Sequence, residues 1–186
     1  METPLTKAHL EALACVTTVT TKYIHFYNKD LIHGLLTEMC GPQEEEQETP
    51  FADDSLAQSI RHACGCLCAN IGEMGIQWTC TTIDKISSSP NPGWRREGCM
   101  MMDYFISNTA VDYTAQIPML LKGILNRSVE EEKDILKACW SALTSLFNKN
   151  TDEVMLTHIS FLSSHLSSVI SQAKHRSLSS LLLLIS

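Results

Sequence analysis

The sequence predicts an all-α protein in which about four antiparallel helix pairs stack into a solenoid. A small residue followed by cysteine occurs four times, with the small residue at positions 14, 63, 98 and 138. The intervals are 49, 35 and 40 residues, and each position lies in an amphipathic helical stretch that a second such stretch follows. A composition with 44% hydrophobic and 6% aromatic residues suits an α-rich protein. Repeats of about 35 to 47 residues are typical of HEAT and armadillo arrays.

The first helix pair is predicted over residues 1–41. Residues 6–20 place Leu10, Leu13 and Ala14 on one face at three- and four-residue spacing. Residues 28–40 carry a second apolar stripe, and the following Gly-Pro is a standard end for a helix.

An acidic segment over residues 42–54 follows, with two prolines and almost nothing to bury. We expect it to be a flexible insertion, a mobile loop within an otherwise regular array. If about a dozen residues of this segment were removed, the interval between the first two small residues would become similar to the other two intervals. A linker is the first interpretation of this segment, and a docking site for a basic partner is the second.

The second pair is predicted over residues 55–89 and the third over residues 90–127. In the third pair the first helix begins at Trp94, after two prolines, and the second spans residues 113–126. The apolar residues that define the stripes of the second pair are Leu56, Ile60, Ala63, Leu67, Ile71, Ile76, Trp78, Cys80, Ile83 and Ile86. Both pairs therefore show the helical period.

The fourth pair is predicted over residues 128–171. Ser128 is the expected N-cap, with three glutamates at 130–132 in the first turn, where they would favour the helix dipole. The partner helix is expected over residues 151–170. Residues 172–186 are leucine-rich and are interpreted as a truncated or capping helix.

The recurring small residue and cysteine are interpreted as packing positions, because closely crossing helices exclude large side chains. Eight cysteines without an N-terminal signal peptide indicate a reducing compartment, with the cytoplasm as the default localisation. No apolar run reaches the roughly 18 to 20 residues that a membrane helix needs, so no membrane partner is expected.

The net charge of −7 argues against a nucleic-acid surface based on overall charge. Two compact basic patches remain, Arg95-Arg96 and residues 174–176. Each is interpreted first as a solvated helix end, and second as a contact for RNA phosphates or an acidic protein surface. Sequence-specific nucleic-acid recognition is not expected.

The sequence offers little for catalysis. Cys64 and Cys68 share a helix face while Cys66 points elsewhere, and no second ligand pair completes a zinc site. His62 and Cys64 are too near in a helix to face each other as base and nucleophile. Recognised catalytic and phosphate-binding motifs are absent from the sequence. We therefore expect no enzyme activity, no catalytic, cofactor or metal residues, and no small-molecule substrate, and the sequence names no partner-binding residue.

Three sequence words resemble one family of HEAT-repeat proteins. They are Asp112-Tyr113-Thr114, the leucine-rich stretch at residues 120–125, and Trp140-Ser141-Ala142-Leu143. The family is that of the general control translational activator, which senses stalled or collided ribosomes. The likeness covers about residues 90–170, and Ser141 stands where the family usually has Asp. The chain would be a fragment from the C-terminal part of a much longer solenoid.

This resemblance implies a scaffold in the amino-acid starvation response. Its partners would be the translating ribosome and the N-terminal domain of the kinase that phosphorylates initiation factor 2 alpha. An alternative is another HEAT-type adaptor, such as a nuclear-transport receptor or a phosphatase scaffold fragment. A third hypothesis is a thiol-dependent or metal-binding protein based on the cysteines at 64–68.

Overall fold

The computed structural model describes residues 4–49 and 51–173, and within them the regular secondary structure consists of helices joined by loops, with no strand. It divides into two compact units, Met1–Lys149 and Asn150–Ser186. The helices of the first unit are α1 Lys7–Val19, α2 Asn28–Cys40, α3 Asp54–Ala69, α4 Ile76–Ser87, α5 Pro92–Asn108, α6 Ile117–Arg127 and α7 Lys133–Lys149. The second unit contains α8 Asp152–Leu156 and α9 Ile159–Ala173. The prediction of an all-α fold is confirmed.

A short 3-10 turn precedes each even-numbered helix of the first unit. The turns are Ile24–Phe26, Glu73–Gly75 and Thr114–Gln116, and they lead into α2, α4 and α6. The same order of helix, 3-10 turn and helix thus occurs three times, as a repeat architecture requires.

Helix packing in the first unit runs along the array. The odd-numbered helices stack in series, α1 on α3, α3 on α5 and α5 on α7. Each even-numbered helix packs on the odd-numbered helix that comes next, α2 on α3, α4 on α5 and α6 on α7. This packing joins each predicted pair to its successor, which the order of helices in the sequence does not reveal.

The core of the first unit is continuous, because every helix from α1 to α6 contributes fully buried large side chains to it. These side chains are Leu10, Ile32, Leu36, Ile60, Leu67, Ile83, Trp94, Met102, Phe105, Ile106, Ile117 and Leu120. Each buried side chain of this size stabilises the fold by about 1.5 to 3 kcal/mol relative to exposure.

The backbones of two helices approach each other closely where α5 crosses the end of α4. A Cβ atom on Gly98 would lie 2.5 Å from the backbone nitrogen of Ser87, which real Cβ atoms do not tolerate. The next residue, Cys99, has its Sγ 3.4 Å from Sγ of Cys139 on α7. The recurring small residues therefore lie at helix contacts, but Cys15 departs from the pattern because it is exposed.

The acidic segment between α2 and α3 is held by the start of α5. The amide nitrogen Nδ2 of Asn91 donates to the backbone carbonyls of Cys40, Pro42 and Gln47, at 3.1 to 3.3 Å. Trp94, which is fully buried, donates from Nε1 to the carbonyl of Gly41 at 2.9 Å. The segment is thus bound to α5 through its backbone, and the side chain of Glu48 adds an ion pair with Arg96.

Two predicted helix starts are wrong. Helix α5 begins at Pro92 instead of Trp94, because the Oδ1 of Asn91 caps it by accepting from the backbone of the next turn. Ser128 does not cap α7: its hydroxyl donates to the carbonyl of Leu125 and so closes α6. The glutamates at 130–132 precede α7, which starts at Lys133.

The second unit contains two helices where the sequence predicts one over residues 151–170. The hydroxyl of Thr151 caps α8, which ends at Leu156, and α9 begins at Ile159. Of the tail predicted at residues 172–186, only the first two residues belong to α9, and the remainder lies outside the described residues.

Replacing Gly98 by alanine is expected to lower the free energy of unfolding by about 1 to 3 kcal/mol, because the new methyl group would push α5 away from α4. Urea unfolding followed by circular dichroism measures this change. Gly34, in the interior of α2, is the matched control, because a Cβ there would meet nothing within 4 Å. Its replacement by alanine should stabilise the protein by about 0.5 to 1 kcal/mol. Equal effects at both glycines would contradict the close crossing.

Candidate functional site

A groove of about 750 Å³ crosses the face formed by the stacked odd-numbered helices α3, α5 and α7. The end of the acidic segment closes one side of it, through Glu48 and Phe51. Apolar and charged side chains alternate along its walls. The remaining lining residues are Met39, Asp54, Ala57, Arg61, Arg96, Met100, Asp103, Tyr104, Ser107, Asn108, Asp134, Lys137, Ala138 and Ser141.

A chain of ion pairs fixes the wall of the groove. Arg61 on α3 binds the carboxylate of Glu97 on α5 through Nε and Nη2, with all three contacts at 3.0 Å. Arg96 donates from Nε to Glu97 at 3.3 Å and from both terminal nitrogens to Glu48 of the acidic segment. Only 3% of the Glu97 side chain is exposed, so its charge depends on these two guanidinium groups.

The basic patch Arg95-Arg96 is therefore engaged within the protein. The hydrogen bond to Glu48 is the main reason why the pKa of Arg96 lies above its usual value. Arg95 pairs with Glu130 at 3.0 Å and donates to the carbonyls of Ser89 and Pro90. Arg95 binds the loop before α7 and Arg96 binds the segment between α2 and α3, so both guanidinium groups are engaged by carboxylates. The second basic patch, residues 174–176, lies outside the described residues.

The carboxylate of Asp103, which lines the groove, accepts hydrogen bonds from three hydroxyl groups. Ser141 donates to Oδ2 at 2.6 Å, while Ser145 and Ser107 donate to Oδ1. The bonds from Ser141 and Ser145 join α5 to α7. An aspartate at position 141, as the family resemblance would expect, would place a second carboxylate against Asp103, so serine suits this neighbour better.

The cysteines at 64–68 do not form a ligand set. Among the described residues, no three His, Cys, Asp or Glu side chains come together as a metal site would require. Sγ of Cys68 contacts the sulfur of Met101, while Cys66 contacts Nε2 of His62 at 3.7 Å and the hydroxyl of Tyr104 at 3.6 Å. The sequence pattern drew attention to His62 and Cys64, but the residue on the same helix face as His62 is Cys66. The two are four residues apart, a spacing that places both side chains on one face.

Burial disfavours the charged thiolate form of several cysteines along the chain. Burial is the main reason why the pKa of Cys40 and that of Cys80 are raised to about 12. Burial also raises the pKa of Cys64 and that of Cys68. The hydrogen bond with Cys99, together with burial, raises the pKa of Cys139. Protonated thiols are poor nucleophiles and poor metal ligands, so these groups act as small apolar side chains.

The three sequence words that carry the family resemblance have structural roles. Oδ1 of Asp112 accepts from the backbone and hydroxyl of Thr114, which lowers the pKa of Asp112 and shapes the third 3-10 turn. Tyr113 packs on Phe105 with ring centroids 5.5 Å apart. The apolar residues of the leucine-rich stretch, Leu120, Leu121, Ile124 and Leu125, are buried in α6. These two stretches therefore shape the third 3-10 turn and the buried face of α6.

Comparison with known families gives a match. The family described as stalled ribosome sensor GCN1-like, HEAT repeats, matches residues 1–183. No curated protein and no solved structure matches the chain. Within the described part of the chain, none of the helices has the length and apolar character that a membrane crossing requires.

Titration with a thiol reagent should detect one fast cysteine in the native protein and all eight after denaturation. Cys15 is the exposed thiol, whereas the other seven are buried. Absorbance after addition of an aromatic disulfide reagent measures the number that react. A Cys15→Ser variant should lose the fast phase and retain its native circular dichroism. Several fast thiols in that variant would contradict the burial.

Stability should fall as the pH rises above about 9. An unfolded thiol loses its proton near 9, whereas Cys80 in the folded state keeps its proton to about 12. The unfolded state therefore binds fewer protons in this interval, and each such thiol costs about 1.4 kcal/mol per pH unit. Urea unfolding in the presence of a reductant, at pH values on either side of 9, measures the slope.

A Cys80→Ala variant separates this effect from other alkaline titrations. It removes one thiol with a raised pKa and should therefore show a smaller loss of stability per pH unit than the parent, whatever its stability at neutral pH. A Cys15→Ser variant is the control, because Cys15 is exposed and its removal should leave the slope unchanged. An unchanged slope in the Cys80→Ala variant would refute this origin.

Proposed function

The chain belongs to the HEAT-repeat family of GCN1-like stalled ribosome sensors, and from this membership we propose that it is a non-catalytic scaffold in translational control. The observation that carries the proposal is the family match over residues 1–183, which spans almost the whole chain. Stacked helices that bury seven of the eight thiols, and in which Arg61, Arg95, Arg96 and Arg127 pair with glutamates, support binding rather than chemistry.

The proposed partners are the stalled ribosome and the N-terminal domain of the kinase that phosphorylates initiation factor 2 alpha. The chain would raise the effective concentration of the kinase at the ribosome, which increases encounter without a change in either partner's chemistry. Ribosomes as a partner imply the cytoplasm as the place of action. The alternative of a nuclear-transport or phosphatase adaptor has no comparable support.

The groove on the odd-numbered helices is the surface that we propose for the kinase domain. Its apolar side chains, Met39, Phe51 and Met100, lie among charged residues of both signs, a composition that protein interfaces share. The ion pairs around Glu97 hold this surface in place before a partner arrives, which reduces the entropy cost of binding.

The full chain should sediment with purified ribosomes through a sucrose cushion at low salt, and more of it with collided ribosomes than with single ones. The immobilised kinase N-terminal domain should also retain it. Immunoblotting of the pellet and of the eluted fraction measures both. Failure with both partners at low salt would remove the proposal.

Two matched variants test the groove. Met100 lines the groove and is 40% exposed, so Met100→Glu should reduce retention by the kinase domain while the melting temperature stays near that of the parent. Phe147 on α7 is 44% exposed and does not line the groove, so Phe147→Glu should bind like the parent. Equal binding by both variants would assign the kinase to another surface.

A further inference from the structure

The groove is one surface to which three successive odd-numbered helices each contribute a face. Its helical lining residues are 54, 57 and 61 on α3, 96, 100, 103, 104, 107 and 108 on α5, and 134, 137, 138 and 141 on α7. Most of them are three or four residues apart, a spacing that places side chains on one side of a helix. Helix α5 packs on both α3 and α7, so the three faces adjoin.

The charges that line the groove do not cancel. Arg61 and Arg96 are bound by Glu97 and Glu48, so these four charges compensate one another. The other charged lining residues are Asp54, Asp103, Asp134 and Lys137. Asp103 accepts hydrogen bonds from neutral hydroxyl groups, which leave its negative charge in place. Three aspartates and one lysine therefore give this part of the groove a net charge of −2.

The acidic segment adds negative charge at the edge of the groove. Residues 44–54 include six acidic residues and no basic one. The segment is fixed in place, because the backbone of Thr49 donates to the carbonyl of Cys40 at 3.1 Å. Glu48 also lies against α5, since a Cβ on Gly93 would be 2.7 Å from its carboxyl carbon. The acidic residues are thus held beside the groove in the folded chain.

A cavity of about 220 Å³ adjoins the groove between α3 and α5. It shares Arg61, Met100 and Tyr104 with the groove. Its other lining residues are Leu36, His62, Cys64, Gly65, Glu97 and Met101. The charged members of this set, Arg61 and Glu97, are paired with each other. The walls are otherwise mainly apolar, so the cavity suits a large apolar side chain of a partner.

The charge of the groove indicates which class of partner it binds. A nucleic acid or an acidic peptide would bring negative charge to unpaired carboxylates, whereas phosphate binding requires cations. A second copy of this chain would bring a net charge of −7 to a groove of the same sign. A cationic segment of another protein has the complementary charge.

We propose that the groove binds a cationic segment of its protein partner and that the cavity holds one large apolar side chain of that segment. This inference rests on the proposed function, in which the groove is the surface that binds the kinase domain. Lysine or arginine side chains of the segment pair with Asp54, Asp103 and Asp134, and the acidic residues at the edge speed association. The apolar side chain in the cavity is the anchor of the complex.

A labelled peptide of lysine and serine with two central leucines is the probe, and at about 16 residues it spans about 50 Å when extended. Fluorescence anisotropy during titration with the full chain gives the dissociation constant. The peptide should bind, and its affinity should fall as the salt concentration rises. A version with glutamate in place of lysine should not bind. A version with alanine in place of both leucines should bind at least about fivefold more weakly, because anchor side chains contribute most of the affinity.

An Asp54→Asn, Asp134→Asn double variant should bind the lysine peptide at least about threefold more weakly, the scale of two exposed ion pairs. A Glu11→Gln, Asp30→Asn double variant is the matched control and should bind like the parent. It removes the same charge from exposed positions on α1 and α2 that do not line the groove. Asp30, like Asp54 and Asp134, lies in the first turn of its helix, so loss of the dipole interaction is matched as well.

Equal affinity of the Asp54→Asn, Asp134→Asn variant and the parent would overturn the proposal. Tighter binding of the glutamate peptide or of polyuridine RNA would also overturn it, as would equal binding of the leucine and alanine peptides for the cavity. Both double variants are also tested on the immobilised kinase domain. Equal retention of the parent and both variants would overturn this inference and leave the proposed function standing. If the kinase domain does not retain the parent, while peptide binding depends on the two aspartates, the kinase assignment fails and the cationic segment belongs to another protein.

Discussion

The side-chain amide of Asn91 is the group on which the first unit most depends. A chain that leaves one helix and enters the next through a buried turn must provide partners for its carbonyl groups. Asn91 does this for the segment after α2 with its nitrogen, while its oxygen caps α5. Asn91 is fully buried, and the helix start that it caps places Trp94 against Gly41 and Arg96 against Glu48. The position of the groove wall therefore depends on this residue.

Apolar periodicity predicted the helices well because their stripes face a continuous core, and one of the recurring small residues, Gly98, lies at a close crossing of α5 and α4. What the sequence could not show are bonds between distant positions. Asn91 binds a carbonyl 51 residues earlier, and Arg96 a carboxylate 48 residues earlier, so neither leaves a local pattern. Ser128 followed by three glutamates has the local pattern of an N-cap, but Arg95 and Arg127 hold Glu130 in the loop instead.

The candidate surfaces were less accessible to sequence reasoning than the fold. The groove arises where three odd-numbered helices stack, and its lining residues come from positions that share no motif. The first and second 3-10 turns, about 50 residues apart, meet where Gly72 and Gly75 leave no room for side chains. Trp78 occupied a place in a predicted apolar stripe, yet its side chain is 65% exposed, because the helical period alone does not show which apolar residues are buried.

The adjacent arginines at the start of α5 have a consequence for cooperativity. Repeat arrays are commonly described as one-dimensional chains in which each unit couples only to its immediate neighbours. Here Arg96 reaches back to the segment between α2 and α3, and Arg95 reaches forward to the loop before α7. A single helical turn thus couples loops that lie on either side of it, so this part of the array has a longer correlation length than a nearest-neighbour chain.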